Sequence, residues 1–372
     1  MLMLIESGRL NVPADADPVE FILSDGKRTE TVPVAKPLTL GQLFLTFKKQ
    51  RLPGDKELNT IKTEDLHIRH LARVLKQSTF IQTLKTHDLQ QYVVERLEGN
   101  RVYRPVVAET IRKELATLRV VWNWALRQEF INRPAPVAGL QYPKRDQRHP
   151  FRTWDEIMAI LARGSVSKEE ERELWESLYL TREEIHEALK FAKSVAKHAF
   201  IYPLLLLVAH TGVRVSEALR SRIEDIDFNA GSIMIREKKR SRVRATTFRR
   251  INMTPLLAET LKEWLVVHPG TLFTFAKEQD LNRGRVSPGI VSINKHVARK
   301  HFKLTFRGSK WSRLRGYHIF RHAFASNLAA AGVDQRIIDE WMGHQTEEMR
   351  QRYRHLLPQT ARAAILKLMP GA

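Results

Sequence analysis

Four short segments hold side chains able to act on an anionic centre. The first reads AHTGVRVSEAL over 209–219. An apolar helix is expected to stop at Gly212, because glycine takes the left-handed conformation that ends many helices. Arg214 follows at once, Ser216 is the expected cap of the next helix, and Glu217 falls on its first turn. A turn between two helices fixes a guanidinium in space, and a carboxylate beside it orients it. A bidentate arginine then suits a phosphodiester. A surface arginine paired with Glu217 fits the same residues equally well.

The second segment, YHIFRHAF over 317–324, spaces His318 and Arg321 three apart, as neighbours on one helix face. A proton-transfer group would lie beside an anion clamp, although this spacing also arises by chance in many helices. The third runs from WMGHQ (341–345) to MRQRYRH (349–355) and puts Tyr353 nine residues after His344. Arg350, Arg352, Arg354 and His355 surround that tyrosine with positive potential, which favours phenolate over phenol and would ready a poor nucleophile. Alone, it reads as a tyrosine on an amphipathic helix. The fourth is a basic strand-turn, REKKRSRVR over 236–244. A lysine at such a hairpin tip can reach a groove and deliver a proton; a nonspecific phosphate-binding patch also accounts for most of its cations.

These segments need elements to hold them. Residues 1–37 read as a small appendage, with a hairpin expected through Asp25-Gly26 between β-prone flanks over 21–34. Residues 38–133 read as a helical domain. Thr39 and Gln42 have capping-box spacing, and apolar stripes predict helices over 63–76, 86–97 and 109–127. Their exposed faces carry Lys48, Lys49, Arg51, Arg69, Arg73, Lys76, Arg112, Lys113 and Arg119, either a solvated surface or a lining for a DNA backbone. Pro134, Pro136, Pro143 and Pro150 mark 134–150 as a basic linker that includes Lys144 and Arg145. The second domain is expected over 151–372. TWDE (153–156) and TREE (181–184) open helices there, with an acidic helix over 168–177 placed outward or against a partner protein. A hairpin is expected over 226–236 through Asn229-Ala230-Gly231, a following strand over 245–254, and helices again from about 293. The fold class is therefore mainly α with a small antiparallel β-sheet.

The 372 residues carry 62 Lys and Arg against 41 Asp and Glu, a net charge of +21. Such an excess suits a polyanion, because each neutralised phosphate releases counterions. Cys 0 excludes disulfides, thiolate metal sites and cysteine nucleophiles. The apolar run over 200–209 falls short of the roughly 20 residues a bilayer needs, and the N-terminal MLMLIESGRL lacks the pattern of a secretory signal. Neither a membrane partner nor export is expected.

Taken in order, Gly-x-Arg-x-x-Glu, His-x-x-Arg 104 residues after Arg214, Gly-His 23 residues past Arg321, and Tyr nine further on closely resemble the tyrosine recombinase (phage integrase) family. The resemblance covers roughly 38–372. It departs from the family's more usual residues around Arg321, in Trp341-Met342 before the Gly-His pair, and in an apparent helical insertion near 165–192. It implies a two-domain clamp on duplex DNA: a helical, SAM-like core-binding domain and a catalytic domain of the DNA breaking-rejoining fold. It implies Tyr353 as nucleophile and Arg214 and Arg321 as phosphate clamps. Lys239 (with Lys238 beside it) would be the general acid, His318 the general base and His344 a phosphate ligand, with Glu217 orienting Arg214. Lys48, Lys49, Arg69, Arg73, Lys144, Arg145, Lys238, Arg240 and Arg242 are the expected DNA contacts. The implied reaction needs no cofactor, metal or ATP. The implied partners are double-stranded DNA with specific recombination sites and other copies of the chain, as a tetramer on DNA and a monomer or dimer when free. A C-terminal helix over 360–369 would dock on a neighbour. The implied setting is the cytoplasm, at the nucleoid. A type IB topoisomerase and a catalytically inactive DNA-binding protein are the alternatives.

Overall fold

The computed structural model describes residues 3, 7–8, 11–12, 18–25, 37–102, 104–143, 150–164, 166–236, 248–278 and 290–343. The chain divides into two compact units, 1–146 and 147–372.

The first unit begins with a short helix, α1 (Pro18–Leu23). This corrects the expected hairpin: Phe21, Ile22 and Leu23 are helical, because Pro18 at the first helical position is already set at a helical φ. The rest of that expected hairpin lies outside the described residues. Four helices follow, α2 (Leu40–Lys49), α3 (Leu58–Val74), α4 (Thr86–Glu98) and α5 (Ala108–Arg127). The capping box expected at the start of α2 is present, with Thr39 Oγ1 accepting from the Gln42 N–H and Gln42 Oε1 accepting from the Thr39 N–H. The apolar stripes meet in one core around Leu43, Phe44, Leu71, Tyr92 and Trp122. An ion pair is sealed in it: Glu114 Oε1 accepts from Arg96 Nη2 at 2.6 Å, and its Oε2 from the Tyr92 hydroxyl at 2.6 Å.

The second unit is built around α9. Before it come α6 (Trp154–Ala162), α7 (Lys168–Glu176) and α8 (Arg182–Val195); α9 itself is Ile201–Thr211. Capping boxes open α6, α7 and α8. α9 is apolar all round, so it is buried all round, and Leu204 to Val208 have almost no exposure. The acidic α7 turns its carboxylates outward, as expected: Glu169, Glu170, Glu173 and Glu176 are exposed. Leu174 and Trp175 on its inner face join the core. On its outer face Glu171 pairs with Arg313, and Glu176 pairs with Arg315.

A short helix, α10 (Val215–Ala218), leads to a three-stranded antiparallel sheet in the order β1 (Ile226–Asp227), β2 (Ser232–Arg236), β3 (Phe248–Asn252). Ile233 lies opposite Ile251 and Ile235 opposite Arg249. Then come α11 (Pro255–Val266), a two-stranded antiparallel ribbon of β4 (Ala276–Glu278) and β5 (Ile290–Ser292), α12 (Lys295–Thr305), α13 (His318–Ala330) and α14 (Gln335–Met342). The molecule is mainly helical with a small antiparallel sheet.

Candidate active site

α9 ends where the sequence predicts, at Gly212, whose φ of 63° is left-handed. A side chain there would strike neighbours as well as strain the backbone: a Cβ would lie 2.5 Å from Phe324 Cδ1 and 2.7 Å from Met342 Sδ. This close approach draws the end of α9 against α13 and α14. Arg214 stands two residues on. It occupies the cap position of α10 itself, which corrects the expectation that Ser216 caps; Ser216 lies inside the helix. The capping acceptor is Glu217, whose Oε2 takes the Arg214 backbone N–H at 3.0 Å while its Oε1 takes Arg214 Nη1 at 2.8 Å. The Arg214 side chain keeps 32% of its exposure, open enough for an anion to reach.

α13 starts at His318 and carries Arg321 one turn on. Arg321 is buried, and it spans two segments: Nη1 donates to Gly212 O at 2.6 Å and Nη2 to Met342 O at 2.7 Å. Arg214 Nη2 reaches Gly343 O at 3.5 Å, the limit of a hydrogen bond. A third arginine, Arg249 on β3, donates from Nε to Trp341 O at 3.0 Å and from Nη2 to Glu217 Oε2 at 2.7 Å. Three guanidiniums thus hold three successive carbonyls, Trp341, Met342 and Gly343, at the end of α14. The last turn of a helix leaves its carbonyls without intrahelical partners and carries the negative end of the helix dipole, so cations gather there.

The electrostatics follow from this geometry. Burial raises the Glu217 pKa, but hydrogen bonding and charge from Arg249, then Arg214, overcome it and hold the carboxyl at about 2. His318 keeps an exposed edge yet is crowded by its surroundings. Desolvation, then the positive fields of Arg321, Lys295 and Arg214, lowers its pKa below the ordinary histidine value. A neutral imidazole beside two guanidiniums can accept a proton while the guanidiniums hold an anion.

Of the residues singled out from sequence, the fold brings together Arg214, Glu217, His318 and Arg321. Lys238, Lys239, Arg240, Arg242, His344, Tyr353, Lys144, Arg145 and the 360–369 stretch lie outside the described residues. In the first unit Lys48, Arg69 and Arg73 line one groove of about 530 Å³ between α2 and α3. Lys49 is exposed but does not line it. Arg51, expected on the open face, is instead pinned: it pairs with Asp65 at 2.9 Å, as Lys48 also does at 3.3 Å. Sequence reasoning missed Arg249 and Lys295. The signal for Arg249 was present, because it stands two residues before Ile251 and so shares the buried face of β3. An arginine at a core-facing strand position requires a buried acidic partner.

The phage integrase family model matches residues 179–360. Over 170 residues the chain is 31% identical to the putative integrase/recombinase y4gC of Sinorhizobium fredii, covering 46% of this chain and 83% of that protein. It is 31% identical over 175 residues to the tyrosine recombinase XerA of Pyrococcus furiosus, covering 45% of this chain and only 56% of that protein's length. In fold it is similar to the Tn1549 transposon integrase in complex with transposon right end DNA, with a TM-score of 0.60 and 17% identity over 89% of this chain and 99% of that one. It is also similar to lambda integrase bound as a dimer to a COC′ core site, with a TM-score of 0.59 and 15% identity over 90% of this chain and 84% of that one.

Proposed function

Because this chain belongs to the phage integrase family of tyrosine recombinases, we propose that it is a site-specific DNA recombinase cutting and rejoining duplex DNA through a 3′-phosphotyrosyl intermediate. The observation that carries this reading is the convergence of Arg214 and Arg321, drawn from two distant segments, on the backbone that leads directly into His344, with His318 in the positive field of both.

In this reading Arg214 and Arg321 hold the non-bridging oxygens of the scissile phosphate. They stabilise the charge of the pentacoordinate transition state, work done by metal ions in other phosphoryl-transfer enzymes. The Tyr353 oxygen attacks phosphorus, and the bond to the 5′-oxygen breaks. His318 takes the phenolic proton, Lys239 (with Lys238 adjacent) gives one to the leaving 5′-oxygen, and His344 hydrogen-bonds the phosphate. The phosphotyrosyl bond conserves the energy of the broken one, so attack by a 5′-hydroxyl reseals the strand without ATP. Glu217 fixes Arg214, as its two bonds to that residue indicate.

The net charge of +21 supports duplex DNA as the partner. The groove lined by Lys48, Arg69 and Arg73 supports the first unit as part of that interface, together with Lys49 and with Lys144, Arg145, Lys238, Arg240 and Arg242. Strand exchange between two duplexes needs four active sites, hence a homotetramer on DNA, with 360–369 as the docking helix. A protein that works on chromosomal DNA would reside at the nucleoid. No helix among the described residues is long and apolar enough to cross a membrane.

The test is a plasmid carrying two copies of the chain's site, incubated with the protein in EDTA. Recombinant circles are expected. Relaxation of supercoils without recombinants would assign a topoisomerase-like activity instead, and binding without either product an inactive site.

A further inference from the structure

We propose that Arg249 is a positioning residue for strand cleavage, fixing from β3 both the carboxylate that orients Arg214 and the helix end that leads into His344. The proposal rests on the recombinase reading above. Arg249 lies opposite Ile235 in the sheet, and its side chain is only 9% exposed. Its bonds run to two separate parts of the site: Nη2 to Glu217 Oε2 at 2.7 Å and Nε to Trp341 O at 3.0 Å. The other oxygen of the same carboxylate holds Arg214 Nη1 at 2.8 Å. One buried carboxylate therefore couples two guanidiniums, and the inner one also grips the end of α14. Only Phe248 separates Arg249 from 237–247, the segment with Lys238 and Lys239.

The geometry explains why an arginine stands here. The two acceptors belong to different elements, and a planar guanidinium can donate along two fixed directions at once. A lysine ammonium at the same place can serve as a point charge but not as a fork. If Arg249 were lost, Glu217 would keep its bonds to Arg214 but could swing, and the Trp341 carbonyl would lose its cation. A displacement of about 1 Å at a reacting group is enough to slow chemistry by about 100-fold. Binding of DNA, spread over many phosphates, is far less sensitive.

The test uses the full chain and a duplex that the wild-type protein itself selects from a random-sequence pool, nicked beside the cleavage position to trap the covalent product. Affinity and single-turnover cleavage are measured for wild type, Arg249→Lys, Arg249→Gln, Glu217→Gln and the Arg249→Gln/Glu217→Gln double variant. Expected are affinities within about threefold of wild type, cleavage slower by about 100-fold in Arg249→Gln and by about 10-fold in Arg249→Lys. The double variant is expected to be no slower than the slower single, because the two residues act as a unit. Losses that multiply in the double variant, or parallel losses of affinity and cleavage, would make Arg249 a general structural residue and overturn the proposal. So would wild-type cleavage by Arg249→Lys, which keeps the buried charge and decides the matter even if Arg249→Gln does not fold. A folded wild-type chain that binds the duplex and forms no adduct removes the recombinase reading itself. Unimpaired Arg249 variants beside an active wild type remove this proposal alone.

Discussion

Glu217 is 4% exposed and lies between two guanidiniums, so its ionisation is bound to the fold. Its pKa falls from an ordinary 4.5 to about 2 in the folded chain. A depressed carboxyl stabilises the native state above its unfolded pKa, and that stability is lost as pH falls through the folded value. The contribution, about 3 kcal/mol, is therefore full above about pH 5 and gone near pH 2. Glu217→Gln should be less stable than wild type by about 3 kcal/mol at pH 7, with the gap closing as pH drops through this window. Urea unfolding at several pH values reads it directly; a gap that stays constant with pH would contradict the pairing. Arg214 with Glu217, and His318 with Arg321, were legible in the sequence because each pair lies within one helical turn. Arg249 was not, since its partners are 32 and 92 residues away in the chain. Only its place on the same strand face as Ile251 hinted at burial.

Turns and helix ends do the assembling. The left-handed Gly212 lets α9 stop against Phe324 and Met342, and its carbonyl accepts from Arg321. Gly212→Ala must strain the backbone and push α13 or α14 away. The expected loss is about 2–4 kcal/mol of stability, with cleavage falling further than DNA affinity. Thermal unfolding alongside adduct formation checks both; a variant as stable as wild type would show that the contact is slack. Capping boxes at Thr39, Thr153 and Thr181 were readable because each is local, as was the apolar α9. The outward face of the acidic α7 was legible too, but its partners were not. Its charge pattern is visible in sequence, but Arg313 and Arg315, which answer it, lie more than a hundred residues away. Likewise the turn signal at Asp25-Gly26 said nothing of the helix that Pro18 starts.

Across the whole molecule, each of the two units has its own apolar core, and the chemistry gathers at the second. Arg214, Glu217, Arg249, His318 and Arg321 are there because helix ends, a strand and a left-handed turn meet at one place. The nucleophile proposed for that place is Tyr353. The most direct measurement is to trap the protein on the self-selected nicked duplex in EDTA, digest the adduct and identify the amino acid that bears the DNA. DNA joined through its 3′-phosphate to Tyr353, with a free 5′-hydroxyl released and no adduct from a Tyr353→Phe variant that binds the same duplex, is the expected result. DNA on another residue, or an adduct that survives Tyr353→Phe, would contradict it.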